Sequence, residues 1–212
     1  MLTVLVDYDS GNLHSAQKAF ERMATEVGGG EVIVSSRAED VARADRVVLP
    51  GDGAFPACRR ALGAVDGMVE ALTDAVEHRA VPFMGICVGM QMLASLGREY
   101  EDVPGLDWIG GEVVRITPDD PALKVPHMGW NDLVLDGTHP VLEGVATGDH
   151  AYFVHGYHFQ VANPAHRLAH VVYGGDVTAI VAKGNVIGTQ FHPEKSQATG
   201  LRMIANFLRW RP

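Results

Sequence analysis

Pro82-Phe83-Met84-Gly85-Ile86-Cys87-Val88-Gly89-Met90-Gln91 sets a cysteine between two glycines, each two residues away, where an apolar strand gives way to a helical pattern. A nucleophile raised on a sharp, strained strand-to-helix turn has this layout, because the turning backbone passes close to its neighbours and residues without side chains fit there. A thiol at such a turn meets the orphan N–H groups of the following helix, which favour the thiolate. The other reading of Cys87 is a small buried hydrophobe on a strand, the usual state of a free cysteine. The wider stretch from Ala80 to Gly97 carries no charge and approaches the length of a membrane span. Pro82, Gly85, Gly89, Gln91 and Ser95 break it instead into a short strand and an amphipathic helix, as a buried α/β crossover requires.

Outward from this stretch, the N-terminal part alternates strand and helix: strand 2–7, helix 12–25, strands 31–34 and 45–49, helices 54–62 and 67–79, strand 82–86 and helix 88–96. The alternation predicts an α/β fold in which a mostly parallel sheet is wrapped by helices through right-handed crossovers. Ligands gather beyond the carboxyl ends of such strands, where the loops at 8–12, 50–54 and 87–89 should cluster. After Trp108 the pattern becomes strand-rich, with strands at 109–116, 130–135, 151–161, 168–173, 178–182 and 186–191. The last two are joined by Lys183-Gly184-Asn185 and read as a hairpin. A helix over 199–209 should close the fold with an apolar face including Leu201, Ile204, Ala205 and Leu208. No linker, repeat or low-complexity tract interrupts the chain, so residues 1–212 are expected to form one domain.

Composition narrows the function. A chain of 212 residues is long enough for a sizeable core. Its formal charge of −9, with no basic stripe, argues against nucleic acid, whose phosphates demand clustered Lys and Arg. Only two cysteines occur, Cys58 and Cys87, and no secretory n-region precedes Leu2-Thr3-Val4-Leu5-Val6, which points to a reducing cytoplasm.

Two further stretches supply what a cysteine nucleophile needs. Thr189-Gln190-Phe191-His192-Pro193-Glu194-Lys195-Ser196 holds a candidate base, His192, and a candidate group to fix its tautomer, Glu194. In extended chain, residues two apart face the same way, so the imidazole and carboxylate would lie side by side at a strand end. The alternative is an ordinary surface histidine and glutamate. Val47-Val48-Leu49-Pro50-Gly51-Asp52-Gly53-Ala54-Phe55 is a buried-type strand running into a glycine-rich loop. Backbone N–H groups of Asp52 and Gly53, together with that of Val88 after the cysteine, would form an oxyanion hole. The plainer reading of the loop is a strand-to-helix turn with glycine for geometry only.

The elbow, the Pro-Gly-x-Gly loop and the Phe-His-Pro-Glu-Lys-Ser stretch together resemble the triad-type (class I) glutamine amidotransferases, over essentially the full length. Asp7-Tyr8-Asp9-Ser10-Gly11-Asn12-Leu13, Lys124-Val125-Pro126-His127-Met128-Gly129-Trp130-Asn131 and Tyr152-Phe153-Val154-His155-Gly156-Tyr157 are similar to segments of the glutaminase subunits of imidazole glycerol phosphate synthases. The resemblance implies a flavodoxin-like domain with helices on both faces of the sheet. It also implies hydrolysis of L-glutamine by Cys87, His192 and Glu194, with Gly51, Gln91, Glu99, Gly156 and Tyr157 in the substrate site. Neither metal nor cofactor is implied. The ammonia would pass to a (β/α)8 cyclase subunit, faced by Asn12, Trp130, Tyr152 and Lys195.

Read without the resemblance, Gln91 is an exposed helix residue, Glu99 one of several acids in a solvated loop, and Trp130 and Tyr152 core aromatics. Two positions depart from the family pattern: Asp52 stands where Val is typical, and Gly156 where Ser or Thr is common. Neither removes a catalytic group. The competing readings are the glutaminase subunit of another amidotransferase, which the Pro-His-Met-Gly-Trp-Asn run disfavours, and a free-standing cysteine hydrolase, which needs no shared face of Asn12, Trp130 and Lys195. A third is a non-catalytic binding module, against which the intact triad argues.

Overall fold

The computed structural model describes residues 1–212. Strands β1 (Leu2–Val6), β2 (Glu31–Ser35), β3 (Arg46–Gly51) and β4 (Phe83–Cys87) alternate with helices α1 (Leu13–Val27), α2 (Ala38–Ala42), α3 (Phe55–Ala64) and α4 (Met68–Thr73). The later strands β9 (Val134–Leu135), β12 (Arg167–Val172), β13 (Asp176–Lys183) and β14 (Val186–Thr189) extend the same sheet. Its order is β2-β1-β3-β4-β14-β13-β12-β9. From β2 to β14 the pairing is parallel, and beyond β14 it is antiparallel. Every residue of β3 and β4 is buried, as continuous apolar strands in the middle of a covered sheet must be.

The strand order also sorts the helices. The step from β1 to β2 runs one way across the sheet, whereas those from β2 to β3 and from β3 to β4 run the other way. Right-handed crossovers therefore put α1 on one face and α2, α3 and α4 on the opposite face. The packing agrees, for α4 contacts both α2 and α3, while α1 packs on the C-terminal helix α6 (Gln197–Arg209). No helix is long and apolar enough to cross a membrane.

The structure departs from the sequence reading in several elements. The helix expected over 88–96 is the single turn α5 (Val88–Gln91). After it the chain tightens into turns, Leu93 N–H to the Met90 carbonyl and Ala94 N–H to that of Gln91, the Ser95 amide goes to the Gly111 carbonyl, and the carbonyls of Met92, Leu93, Ala94 and Ser95 accept from the amides of Leu106, Ile109, Asp107 and Gly105. The helix expected over 67–79 splits into α4 and a π-helical turn at Asp74–His78. The strand expected over 151–161 breaks at Gly156 into β10 (His150–His155) and β11 (Tyr157–Val161). β10 pairs with β8 (His127–Asp132), and β11 with β7 (Gly111–Arg115) in another small sheet that the short strands β5 (Leu96–Gly97) and β6 (Val103–Pro104) complete. The last strand ends at Thr189 rather than 191, because the chain bends into a 3-10 turn at Pro193–Lys195. Helix α6 starts two residues earlier than expected; Ile204 and Leu208 are buried, but Leu201 and Ala205 are only partly so, the face being centred on Met203 and Phe207. The hairpin at Gly184-Asn185 forms as expected, with Lys183 opposite Val186.

At Gly89 the elbow passes so close to β3 that an added Cβ would lie 1.8 Å from the Leu49 carbonyl oxygen, whereas at Gly156 the nearest atom to an added Cβ is Val125 Cγ1 at 3.6 Å. Gly89→Ala is expected to cost at least about 3 kcal/mol and Gly156→Ser to change stability by less than about 1 kcal/mol. Urea unfolding of the two variants measures the difference, and equal midpoints would show that the elbow yields to a side chain.

Candidate active site

Cys87 closes β4 at φ 56° and ψ −114°, a backbone conformation rarely adopted by residues other than glycine. It pairs with Gly51 at the end of β3. The Tyr8 hydroxyl, from the loop after β1, donates to the Pro50 carbonyl at 2.6 Å. The loops after β1, β3 and β4 thus meet at one sheet end, as expected of this class of fold. The Cys87 side chain is nearly enclosed, the residue being 5% exposed.

His192 approaches the cysteine from the far side. Its Nδ1 pairs with Glu194 Oε1 at 2.9 Å, which leaves Nε2 free of that carboxylate. The pair is made by the 3-10 turn rather than by extended chain, with the amide of Lys195 donating to the His192 carbonyl. Burial disfavours the charged imidazole, but the hydrogen bonds and charges of Cys87 and Glu194 outweigh it and raise its pKa to about 10. The turn is clamped to β10: the His192 amide donates to the Tyr152 carbonyl, the Tyr152 amide to Ser196 Oγ, and that hydroxyl to the His192 carbonyl.

Around this line lie the other residues singled out in the sequence. Gln91 is buried rather than exposed; its Nε2 donates to the Tyr157 carbonyl and to Gln190 Oε1. Glu99 is buried rather than solvated, and its Oε2 accepts from the Phe55 amide at the head of α3 at 2.7 Å. Gly53 is exposed at φ +109°. The Asp52 amide is engaged by Ser10 Oγ at 3.2 Å, and the same hydroxyl donates to the Asp52 carbonyl at 2.8 Å. Cys58, the second cysteine, is buried behind this loop with Sγ 3.2 Å from Ser10 Oγ; burial raises its pKa. No grouping of three or more His, Cys, Asp or Glu side chains is arranged to hold a metal ion.

Trp130 on β8 stands opposite Tyr152 on β10, their rings edge-to-face at 5.8 Å, and Trp130 is 49% exposed. Lys195 is part of the 3-10 turn that packs on both β10 and α1. Asn12 caps α1, its Oδ1 accepting from the Ser15 amide. Sequence reasoning missed Ser10 and Gln190, although each adjoins a motif it had singled out. It also left unassigned His127 and His155, whose rings are 3.2 Å apart from Nδ1 to Nε2.

The profile of the family described as "Glutamine amidotransferase class-I" matches residues 4–210. The chain is 72% identical to the imidazole glycerol phosphate synthase subunit HisH of Cereibacter sphaeroides and 64% identical to that of Ruegeria pomeroyi, covering all of each protein and of itself. Among solved structures, a glutamine amidotransferase is similar at a TM-score of 0.73 and 21% identity, over 98% of this chain and 99% of the other. A glutamine amidotransferase from Thermotoga maritima is similar at a TM-score of 0.62 and 18% identity, over 92% of this chain and 76% of the other. At these identities the two structures speak for the fold.

Burial lowers the pKa of His127 and His158 to about 4, and chiefly burial lowers that of His155 to about 3. In the unfolded chain the same rings protonate below about pH 6.5. The unfolded state therefore binds more protons between pH 6.5 and 4, and stability falls as pH drops through that window. Each histidine is expected to contribute about 2 kcal/mol of loss between pH 6.5 and 5. Urea unfolding across that range measures the sum; a flat profile would mean that these rings are solvated in the fold.

Proposed function

The chain belongs to the class-I glutamine amidotransferase family, and from that membership we propose that it is the glutaminase subunit of an imidazole glycerol phosphate synthase. It hydrolyses L-glutamine to glutamate and ammonia and hands the ammonia to a (β/α)8 cyclase subunit in histidine biosynthesis. The observation that carries the chemistry is the strained elbow at Cys87 together with the buried His192–Glu194 pair, whose imidazole is held charged by Cys87 and Glu194. Full-length similarity to the HisH subunits carries the pathway. We place the reaction in the cytoplasm, where its two free thiols stay reduced.

Cys87 Sγ attacks the side-chain amide carbon of glutamine, His192 Nε2 gives its proton to the departing ammonia, and the same nitrogen then activates the water that hydrolyses the glutamyl thioester. Glu194 holds the Nδ1 proton and so keeps Nε2 toward the sulfur. Gln91 has its amide N–H groups engaged and Glu99 has one carboxylate oxygen engaged, so each offers an acceptor oxygen to the substrate's α-ammonium. Gly51, Gly53 and the backbone at Gly156 and Tyr157 complete the pocket. Asn12, Trp130, Tyr152 and Lys195 face the cyclase, and the clamp between Tyr152 and the His192 turn joins that face to the base.

An idle resting state fits the oxyanion loop. Of the amides assigned to the hole, that of Asp52 is occupied by Ser10, so it must turn before it can join Gly53 and Val88 in holding an oxyanion. A missing donor costs about 10²–10³ in kcat. Cyclase docking at Asn12, Tyr152 and Lys195 would release the loop.

Glutamine hydrolysis measured for the isolated chain, for its complex with a purified cyclase subunit, and for that complex with cyclase ligand bound should rise in that order; equal rates in all three would sink the switch. Cys87→Ala should abolish hydrolysis in the complex while leaving the reaction driven by free ammonia intact, and His192→Ala should lose more turnover than Glu194→Ala. Glu99→Gln should raise KM for glutamine with the ammonia-driven rate unchanged. If both rates fell together, Glu99 would serve the fold through α3 rather than the substrate.

A further inference from the structure

Gln190 lies between the end of β14 and His192 and is wholly buried, with no exposed surface. Its Nε2 is 3.8 Å from Cys87 Sγ, and its Oε1 accepts from Gln91 Nε2 at 3.1 Å. We infer that Gln190 is a catalytic residue that donates to the Cys87 sulfur, locked in that orientation by a hydrogen-bond network reaching back to Asn131 on β8. The inference deepens the reading of Cys87 as the nucleophile and rests on it.

The orientation follows from what each group is able to do. The Tyr157 carbonyl only accepts, so the Gln91 side chain must turn its NH2 toward it, and the second hydrogen of that NH2 goes to Gln190. Gln190 therefore shows its oxygen to Gln91 and its own NH2 to the sulfur. The same Tyr157 carbonyl accepts from His155 Nδ1 at 2.8 Å, which fixes the tautomer and makes His155 Nε2 an acceptor. His127 Nδ1 must then donate to it at 3.2 Å, and His127 Nε2 accepts from Asn131 Nδ2 at 3.3 Å.

Asn131 is itself pinned, because Nδ2 also donates to the Val172 carbonyl and Oδ1 accepts from the Asp132 amide. Neutral imidazoles are required throughout, and burial keeps both rings neutral near pH 7. Phe153 and Tyr173 flank His127 with ring centroids at 5.0 and 4.1 Å, so the ring cannot swing out of the line.

An amide is a useful neighbour for this sulfur. It cannot remove the thiol proton, which stays with His192, and it stabilises the thiolate as a charge-assisted donor. It also ties the sulfur to Gln91, so that nucleophile and substrate pocket keep one geometry. Asn131, His127 and His155 act only through Tyr157 and Gln91 and are positioning residues.

Gln190→Met has similar length and no donor. Alkylation of Cys87 by iodoacetamide at pH 7, followed by peptide mass mapping to separate it from Cys58, is expected to slow about tenfold in this variant, the size of a lost hydrogen bond to a charged group. In the complex with the cyclase, kcat for glutamine should fall by a similar factor, KM should rise because Gln91 loses the Gln190 oxygen, and the ammonia-driven rate should stay as in the wild type. Gln190→Glu, which keeps the shape but removes the donor, should slow alkylation further and serves if the methionine variant fails to fold. His155→Phe should slow alkylation by a smaller factor. A wild-type alkylation rate in Gln190→Met overturns the inference. Because alkylation needs no glutamine, slowed alkylation with no glutamine turnover even in the wild type would uphold the donor and overturn the assigned reaction.

Discussion

The backbone of Cys87 is held at φ 56° and ψ −114°, a conformation that costs an L-residue roughly 1–3 kcal/mol and persists only where its surroundings leave no alternative. Those surroundings are backbone on backbone. Added Cβ atoms at Gly51, Gly85 and Gly89 would fall 2.7 Å from the Gly89 nitrogen, 2.6 Å from the Gly89 oxygen and 1.8 Å from the Leu49 oxygen. The ends of β3 and β4 and the turn after Cys87 are thereby pressed into a single unit. The strain keeps the thiol at the sheet end, where the loops that carry Tyr8, Ser10 and Asp52 converge. Everything assigned to the site is arranged around that fixed point.

Electrostatics then divides the buried histidines into two kinds. For His192 the hydrogen bonds and charges of Cys87 and Glu194 exceed the cost of burying an imidazolium. His127 and His155 have no acid beside them, so burial wins and they stay neutral, able to donate at one nitrogen and accept at the other. One side of the site holds a proton ready for transfer; the other holds protons still. A uniform set of partners would have given neither an acid–base group nor an ordered network.

The ribbon of β8 and β10 is continuous with the site around Cys87. β8 and β10 carry Trp130 and Tyr152 on their outer side, while His127 and His155 stand at the end of the same ladder, directly opposite each other. From β10, backbone bonds run to His192 and Ser196. From β8, side-chain bonds run through the two histidines to the Tyr157 carbonyl. The ribbon is thus bonded both to His192 and, through the Tyr157 carbonyl, to Gln91, beside strands β3 and β4 whose residues are all buried.

The parallel core, the elbow and the His192–Glu194 pair were legible in the sequence because each is a local pattern: apolar runs bounded by glycine, a cysteine two residues from glycine on either side, and a histidine two residues before a glutamate. The clustering of the loops after the first strands followed from chain alternation, whereas the order of those strands across the sheet did not. What lay beyond reach involved groups distant in the chain that meet only in space. Gln190 is two residues from His192, yet its partners Gln91 and Cys87 lie about a hundred positions earlier. The helix after Cys87 stops at Gln91 where the Ser95 amide turns to the Gly111 carbonyl and amides from 105 to 109 take the carbonyls that follow it, and Glu99 is buried where its oxygen accepts from the amide at the head of α3. Periodicity reports which face of a segment is apolar. Which distant backbone group satisfies an orphan carbonyl, and hence where a helix ends and which way a buried amide turns, is decided by the tertiary fold alone.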